Sequence, residues 1–516
     1  MTISFIQSNG GRGRREKLSV VTINGVSRQV PEGTGLGKLL AEDDKIQMPC
    51  GGHGRCGKCK VKVQGEMNPL TETERRFLSG EEIAGGMRLA CLCAAEGDCT
   101  VWTARQETSQ VAVGSTDIKI LLKPTFLSYG CAVDIGTTTL AAGLWDRNGK
   151  CLARAGGRNP QAGWGADVVS RTEAAMGGAG EKLRTVICKA VDDLLLELAS
   201  EAGIPVQEIG SLVITGNTVM LHLFTGTDLE PLSHAPFAVK RRFGENLAAG
   251  SLGLTAVAPD TCVYLPPCMS AFAGADLVTA LLASGICERA GTQMLADIGT
   301  NGEMALVRSG ELYVCSAAAG PAFEGAGLSC GMQGKVGAID KVRLRGRELE
   351  AHVIGKGPAL GICGSGAVDA IACLLECGRI EDTGYMEEER IVIIPPVAIT
   401  QEDVHMVQLA KGAVHGGIRT LLHAAGTDDT EVSGLYIAGG FGSYLNVENA
   451  GRIGLIPNEL VPKVHVIGNA ALEGAVMLLL NGDYRGICRK YADAAKKIEL
   501  SDDPFFSEAY VEEMMF

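Results

Sequence analysis

The stretch CAVDIGTTTLAAGLW, Cys131–Trp145, indicates the fold of most of the chain, because a near copy follows as MLADIGTNGEMALV, Met294–Val307. Each copy reads as an apolar strand, a tight Asp-Ile-Gly-Thr turn and a second strand. Two copies of one strand–turn–strand unit predict a duplicated α/β domain with a cleft between its halves. Between the copies, strands and helices alternate, for example a helix over 182–199 and the strand SLVITG, Ser211–Gly216.

Both turns carry groups that suit phosphate and Mg²⁺. Backbone N–H groups of a glycine turn can surround phosphate oxygens, and threonine hydroxyls add donors. Asp134 and Asp297 are predicted to hold Mg²⁺ or to orient the attacking water, although an aspartate can also cap its own turn. Glu324 is either a further catalytic carboxylate or a surface residue. The predicted phosphate contacts are Gly136, Thr137, Thr138 and Thr139 in the first turn and Gly299, Thr300, Asn301 and Gly302 in the second.

Two later glycine turns extend the predicted nucleotide site. The strand Leu435–Ala438 runs into GGFG, where the main chain can approach an adenosine closely. GICGSG, Gly361–Gly366, precedes an apolar helix and is either a phosphate contact at the helix N-terminus or a turn with an N-cap serine. The residues predicted to contact the nucleotide here are Gly439, Gly440, Phe441 and Gly442, with Gly364, Ser365 and Gly366.

Two other pairs of residues have two interpretations each. Asn217 and Thr218 face the cleft, or they belong to a turn in which the threonine caps the following helix. Trp164 and Arg171 contact a partner or pack internally.

A cysteine-rich loop precedes the repeat. MPCGGHGRCGKC, Met48–Cys59, holds three cysteines, and RLAC, Arg88–Cys91, supplies a remote fourth. This is the ligand pattern of a ferredoxin-type 2Fe–2S cluster, and the loop glycines let the backbone wrap the cluster. The predicted ligands are Cys50, Cys56, Cys59 and Cys91, with Cys93 or Cys99 as alternatives to Cys91.

Two other interpretations of the cysteines are weaker. Zinc usually takes paired C-x-x-C units, and only Cys56 and Cys59 form one. A disulfide framework would need a secretory signal, which we do not find.

The elements around the loop predict a β-grasp domain. LSVVTI, Asn24-Gly25 and VSRQV read as a hairpin with a type I′ turn. A helix over 36–42 leads into the loop, and the strand KCKVKVQ follows it. Thr71 and Glu74 have the spacing of a capping box.

Composition narrows the function classes. The chain has 516 residues, 46% of them hydrophobic, and 69 glycines, so we expect a well-packed protein of three or more domains. The net charge of −13 argues against a nucleic-acid partner. No apolar run reaches the roughly 18 residues of a membrane span. Eighteen cysteines without a signal sequence predict a reducing cytoplasm.

The predicted domain boundaries are a flexible basic tail over 1–16, a ferredoxin-like domain over 17–103, a linker over 104–128, the two ATPase halves over 129–290 and 291–485, and a C-terminal tail over 486–516.

The paired turns and the later glycine turn resemble the ATPase superfamily of acetate and sugar kinases, heat-shock chaperones and actin. With a 2Fe–2S ferredoxin ahead of them, the chain is similar to the reductive activators of corrinoid proteins. Further stretches that carry this likeness are NPQAGWGADVVSR (Asn159–Arg171), TGNTVMLHLF (Thr215–Phe224), GPAFEGAGLSCGM (Gly320–Met332) and AKGAVHGGI (Ala410–Ile418).

The resemblance implies a multidomain α/β fold, in which a β-grasp ferredoxin domain precedes a duplicated actin-like, ribonuclease H-like ATPase. It implies an enzyme that uses ATP, Mg²⁺ and a 2Fe–2S cluster to return the Co(II) of a corrinoid protein to Co(I). The implied partners are a corrinoid protein of a methyltransferase system, an unidentified low-potential electron donor and, in a homodimer, a second copy of the chain.

Two departures from the family stand out. The segment joining the two units looks short for a separate middle domain. The C-terminal tail has only Cys488, which is too few for additional clusters. Two other functions stay open, namely a ferredoxin-linked sugar or acyl kinase and an electron-transfer protein with a degenerate actin-like domain.

Overall fold

The computed structural model describes residues 17–41, 46, 48, 50–103, 121–346 and 348–516. They fall into two compact units, Met1–Gln106 and Glu107–Phe516. The predicted tail over 1–16 lies outside the described residues, as do residue 42 and the part of the predicted linker over 104–120.

The N-terminal unit is built on one mixed sheet. Its elements are β1 (Leu18–Ile23), β2 (Val26–Pro31), β3 (Thr34–Gly35), α1 (Leu36–Ala41), β4 (Lys60–Met67), α2 (Glu72–Phe77), α3 (Gly80–Ala84), β5 (Met87–Leu89) and β6 (Ala94–Trp102). The strand order is β2-β1-β6-β4-β5, with β3 also paired to β6. Strands β1 and β6 run parallel, and the other pairs are antiparallel.

The turn and the helix cap that were predicted for this unit are confirmed. Asn24 and Gly25 have φ of 49° and 87°, as a type I′ turn requires. Thr71 and Glu74 form the predicted capping box of α2. The buried side chains of α1 share one apolar core with the sheet.

The first half of the larger unit has one sheet in the order β11-β12-β10-β7-β8-β9. Its elements are β7 (Tyr129–Ile135), β8 (Thr139–Asp146), β9 (Cys151–Arg158), α4 (Val168–Ala174), α5 (Gly180–Ala202), β10 (Ile209–Gly216), α6 (Thr218–Thr225), β11 (Glu245–Ala248), α7 (Ala249–Leu252), β12 (Cys262–Leu265) and α8 (Ala275–Ser284). Strands β7, β8 and β9 form an antiparallel meander, and β10 pairs with β7 in parallel.

The second half repeats this plan with the order β22-β21-β13-β14-β15-β23. Its elements are β13 (Thr292–Ile298), β14 (Gly302–Arg308), β15 (Glu311–Ala317), β16 (Ala338–Arg345), β17 (Glu348–Val353), β18 (Gly361–Ile362), α9 (Gly364–Glu376), β19 (Arg390–Ile394), β20 (Val397–Thr400), α10 (Gln401–Ala424), β21 (Val432–Ala438), α11 (Val447–Arg452), β22 (Val464–Gly468), α12 (Ala470–Leu480), α13 (Tyr484–Ala494), β23 (Lys496–Lys497) and α14 (Pro504–Glu512).

Five strands of each sheet correspond in order, and the edge strands β11 and β23 have no counterpart in the other half. Strands β13, β14 and β15 form the second antiparallel meander, and β21 pairs with β13 in parallel. The duplication predicted from the paired turns is therefore confirmed.

Helices α8 and α12 pack together between the two sheets, within an apolar core that both halves share. A Cβ atom built on Gly474 of α12 would lie 1.9 Å from the carbonyl oxygen of Thr279 in α8. Only glycine fits this crossing.

The predicted tail over 486–516 is folded onto the second half. Helix α14 packs on α10, where Gly412 and Gly416 bring the two backbones close. Arg419 of α10 pairs with Glu512 and Glu513. Among the helices that the structure describes, none is both long enough and apolar enough to cross a membrane.

Candidate functional site

The two Asp-Ile-Gly-Thr turns face each other across a cleft in the larger unit. Asp134 and Asp297 are the penultimate residues of β7 and β13, so both aspartates lie at the ends of corresponding strands. The hydroxyl oxygens of Thr138 and Thr300 lie 3.2 Å apart, and both hydroxyls donate to Glu324. Glu324 therefore joins the two turns and is not a surface residue.

Most of the predicted nucleotide contacts line this one cleft. They are Asp134, Gly136, Thr137, Thr138, Thr139, Asp297, Gly299, Thr300, Asn301, Glu324, Gly364, Ser365, Gly439, Gly440 and Phe441. Three predicted glycines do not line it. Gly302 begins β14, whereas Gly366 and Gly442 let the main chain pack against Ile339 and Ile437.

The alternatives for two polar residues are resolved. Ser365 is not a helix cap, because α9 starts after Cys363 and the serine hydroxyl donates to the carbonyl of Asp340. Asn217 caps α6 and also lines the cleft, where its amide donates to the Thr137 hydroxyl at 3.0 Å.

Sequence reasoning missed five polar residues of the cleft, namely Gln333, Tyr444 and the three described next. Asp276 is the second residue of α8, Glu303 follows the second turn directly, and Asn469 caps α12. The Asn469 amide donates to the Asp134 carboxylate at 3.0 Å. Glu303 could have been found from its place beside the turn, whereas Asp276 and Asn469 come from helices that only tertiary packing brings here.

Burial makes the carboxyl groups of the cleft hard to ionise. It raises the pKa of Asp134 to about 6, although the bond from Asn469 lowers that pKa. Burial and then the charge of Asp134 raise the pKa of Asp276 to about 8 and that of Asp297 to about 7. Burial also raises the pKa of Glu303 and of Glu324.

This concentration of carboxyl groups suits a divalent cation. Mg²⁺ is usually held by one or two carboxylates together with phosphate oxygens and water. Among the described residues, no three His, Cys, Asp or Glu side chains already form a complete metal site. The fit to Mg²⁺ therefore depends on the donor chemistry and on phosphates supplied by a nucleotide.

The glycine turn after β21 forms another wall of the cleft. Gly439 has a φ of 96°, and a Cβ atom there would lie 2.7 Å from a carboxylate oxygen of Asp297. Phe441 stacks on Phe323 with ring centroids 4.8 Å apart. A flat adenine could lie beside these aromatic rings.

The cysteine loop of the N-terminal unit brings its thiols together in pairs. The sulfur atoms of Cys59 and Cys91 lie 3.2 Å apart, and Cys50 and Cys56 are hydrogen-bonded to each other. All four thiols are free in this structure. Four loop glycines have positive φ, namely Gly51, Gly52, Gly54 and Gly57.

Within each pair, one thiol has a lowered pKa and the other a raised one. Burial raises the pKa of Cys50, but backbone N–H groups, including that of Arg55, outweigh it and leave the pKa lowered. The neighbouring Cys91 lowers the pKa of Cys59 to about 7. Burial raises the pKa of Cys56 to about 11 and that of Cys93 to about 12, and the hydrogen bond to Cys59 raises the pKa of Cys91. The donor set fits a 2Fe–2S cluster.

A relative of named activity decides the family. The corrinoid activation enzyme RamQ of Eubacterium limosum is 35% identical over an alignment of 420 residues, which covers 75% of this chain and 70% of RamQ. This chain belongs to the family of corrinoid protein activators. A second relative of this corrinoid activator is the [Co(II) methylated amine-specific corrinoid protein] reductase of Methanosarcina barkeri, which is 28% identical over 68% of this chain and 70% of its own length.

A solved structure and three matching domain families support the same family assignment. The solved reductive activator for corrinoid, iron–sulfur protein is 26% identical, with a TM-score of 0.72 over 96% of this chain and 98% of that chain. Residues 21–96 match the 2Fe-2S iron-sulfur cluster binding domain. Residues 129–289 match the RACo middle region, and residues 291–516 match the C-terminal domain of RACo, the ASKHA domain.

These matches correct one expectation about this corrinoid activator. The joining segment looked too short for a middle domain, but the family's middle region is not an insertion in that segment. It is the stretch that forms the first half of the duplicated fold, from β7 to α8.

Proposed function

We propose that this chain uses ATP to drive one electron from its 2Fe–2S cluster onto the cobalt of a corrinoid protein, which returns Co(II) to Co(I). The observation that carries the proposal is the pair of facing Asp-Ile-Gly-Thr turns in a corrinoid activator that also has a ferredoxin cysteine loop. For each electron transferred, one reduced cluster is oxidised and one Co(II) is reduced to Co(I).

In this proposal, Cys50, Cys56, Cys59 and Cys91 hold the cluster, which supplies one-electron redox chemistry when bound. Support for Cys91 as the fourth ligand is its contact with Cys59. Cys93 and Cys99 are instead buried in the apolar core of the unit.

The cleft binds the triphosphate in this proposal. The N–H groups and hydroxyls of Gly136–Thr139 and of Gly299–Asn301 bind phosphate oxygens. Asp134 and Asp297 would hold Mg²⁺ and position water, and Glu324, which accepts from the two threonine hydroxyls, would be a further carboxylate for the metal. Gly439, Gly440 and Phe441 border the adenosine.

ATP is needed if cobalt accepts electrons at a lower potential than the cluster. Moving one electron uphill by 100 mV costs about 2.3 kcal/mol. Closure of the cleft on ATP can supply this free energy by favouring a state of the complex in which Co(II) is easier to reduce.

Other parts of the proposal are a low-potential electron donor, a homodimer and a cytoplasmic location. The supporting observation for the location is that the thiols of the described cysteines are free.

The test is an anaerobic titration with a Co(II) corrinoid protein. Reduced chain with Mg²⁺ and ATP should convert the Co(II) absorbance to that of Co(I), whereas chain without nucleotide should give little conversion. Hydrolysis of ATP should rise when the Co(II) protein is added. Full conversion without nucleotide would contradict coupling, and stimulation by a small hydroxyl or carboxylate compound instead would indicate a kinase.

A further inference from the structure

The polar residues of the stretch Asn159–Arg171 have no role in the mechanism above, although they are buried. Asn159, Gln161 and Arg171 are each 0% exposed. Burying so many polar groups is costly unless each makes hydrogen bonds. Their partners are therefore informative.

Arg171 binds the first phosphate turn from behind. Its Nη2 donates to the carbonyl oxygen of Thr137 at 2.5 Å, and its Nε donates to that of Gly165 at 3.0 Å. Its Nη1 lies 3.4 Å from Gln161 Oε1 and 3.2 Å from Met220 Sδ. The guanidinium thus links the turn to the loop before α4.

Two asparagines complete the same layer. Asn159 donates from its side chain to the carbonyl of Gly136 at 2.8 Å and from its backbone to that of Thr138 at 2.9 Å. Asn217 donates to the Thr137 hydroxyl. Three successive carbonyl oxygens, of Gly136, Thr137 and Thr138, therefore all accept bonds from this layer.

The second phosphate turn is held differently. Gly299 donates to the carbonyl of Asn301 at 3.2 Å, and Gly320 donates to that of Thr300 at 3.0 Å. These are backbone donors, and no guanidinium is among them. Within the described part of the chain, the first turn thus has a buried charged support, whereas the bonds found to the carbonyls of the second turn come from the backbone.

The charge of Arg171 has no carboxylate in contact. No ion pair of the described residues includes it, and Asp167 and Glu324 act on it only at a distance. Burial lowers its pKa to about 9. Neutral hydrogen-bond acceptors leave the charge of a buried cation unbalanced, and an anion in the cleft would balance it.

We propose that Arg171 is a positioning residue for the nucleotide phosphates. With Asn159 it turns the carbonyl oxygens of Gly136–Thr138 away from the cleft, so that the N–H groups face the phosphates, and its charge is balanced when a triphosphate binds. This inference rests on the proposed ATP site.

The test compares nucleotide binding by the full holoprotein and three variants. Arg171→Met removes the charge and the bonds, and Arg171→Lys keeps the charge but not the planar fork. Arg184→Met is the matched control, because Arg184 lies in the same half on α5 and binds the carbonyls of Ser251 and Leu252. Calorimetry measures adenosine, AMP, ADP and ATP with Mg²⁺, and cluster absorbance and circular dichroism monitor the fold.

Arg171→Met should weaken ATP binding by about 10- to 100-fold and adenosine binding by less than about twofold, with ADP between them. Arg171→Lys should recover part of the loss, and Arg184→Met should bind like the wild type. A loss that is equal for adenosine and ATP, or no loss at all, would overturn the proposal. If Arg171→Met does not fold, Arg171→Lys alone decides between these outcomes by the same phosphate dependence.

Failure of the proposed function looks different. A wild-type protein that binds no nucleotide overturns both proposals. A wild type that binds ATP but does not reduce Co(II) overturns the function and leaves the role of Arg171 to be judged from the variants.

Discussion

Asp276 lies in the cleft between the charges of Asp134 and Asp297, and burial is the main reason why its pKa is raised to about 8. At neutral pH this carboxyl group is mostly protonated in the folded chain and ionised in the unfolded chain, where the pKa is near 4. Its contribution to stability is therefore complete only below the unfolded pKa and is lost as pH rises through about 8. Mg²⁺ with a nucleotide should offset that loss.

The resulting prediction concerns pH. Without nucleotide, the midpoint of thermal unfolding should fall between pH 6 and pH 9, and Asp276→Asn should reduce the slope. The measurement is anaerobic thermal unfolding followed by circular dichroism at a series of pH values. Asp193→Asn, an exposed change on α5, is the control. Equal slopes for Asp276→Asn and the control would contradict the prediction.

Two neighbouring glycines in the turn after β21 should differ sharply in how much stability is lost when each is replaced by alanine. Gly439 has a left-handed φ of 96°, and its Cβ would meet Asp297, whereas a Cβ on Gly440 would meet nothing within 4 Å. Gly439→Ala should lower the free energy of unfolding by about 1–3 kcal/mol, and Gly440→Ala should change it little. Thermal unfolding without nucleotide measures both, and similar midpoints for the two variants would show that the strain is absent.

At the scale of elements, α2 fixes the approach to the fourth cysteine. Glu74 is 0% exposed and receives bonds from Thr71, from the Nε of Arg88 at 2.7 Å and from the backbone N–H of Leu89 at 3.1 Å. It thereby joins α2 to β5, which leads directly to Cys91. The short helix is a support for the cluster loop as well as a covering element.

Breaking this support should be costly. Glu74→Ala leaves the Arg88 guanidinium without its buried partner, so we expect a loss of about 3–5 kcal/mol in the stability of the N-terminal unit. Glu72→Ala changes an exposed carboxylate of the same helix and is the control. The readout is the temperature at which cluster absorbance disappears. Equal temperatures for both variants would show that Glu74 does not support the loop.

At the scale of the whole molecule, the chain combines a ferredoxin-type unit and a duplicated ATPase-type unit. Sequence was sufficient for the strands and turns that are local in the chain, such as the hairpin at Asn24-Gly25 and the paired turns at Asp134 and Asp297. It was not sufficient for Asp276 and Asn469. Those side chains enter the cleft from α8 and α12, whose positions depend on packing between distant segments.

Three glycines were predicted to contact the nucleotide but do not line its cleft, namely Gly302, Gly366 and Gly442. Each follows the glycine pattern of a nucleotide turn, but none of them lines the cleft. A glycine motif reports close approach of the main chain without saying whether protein or ligand approaches. The sequence alone therefore overestimated the contacts of the candidate site.

Single substitutions should remove the cluster of the N-terminal unit and the nucleotide chemistry of the larger unit independently of each other. Cys56→Ala should remove the cluster absorbance and iron while nucleotide binding remains, and Asp297→Ala should retain the cluster and lower ATP hydrolysis by about 100-fold or more. Cys99→Ala, in β6 and away from the loop, should keep its iron. Iron analysis and phosphate release on the same preparations measure this. A folded variant that loses both properties would contradict the division.

The crossing of α8 and α12 restricts how the cleft can move. Because Gly474 leaves no side chain between its helix and Thr279, the helices cannot slide past each other without a clash of main-chain atoms. We therefore expect any opening of the cleft to be a rotation about this contact. In such a rotation, the displacement of each atom grows with its distance from the helix contact. A small movement of the residues around a γ-phosphate would therefore become a larger movement of the outermost strands.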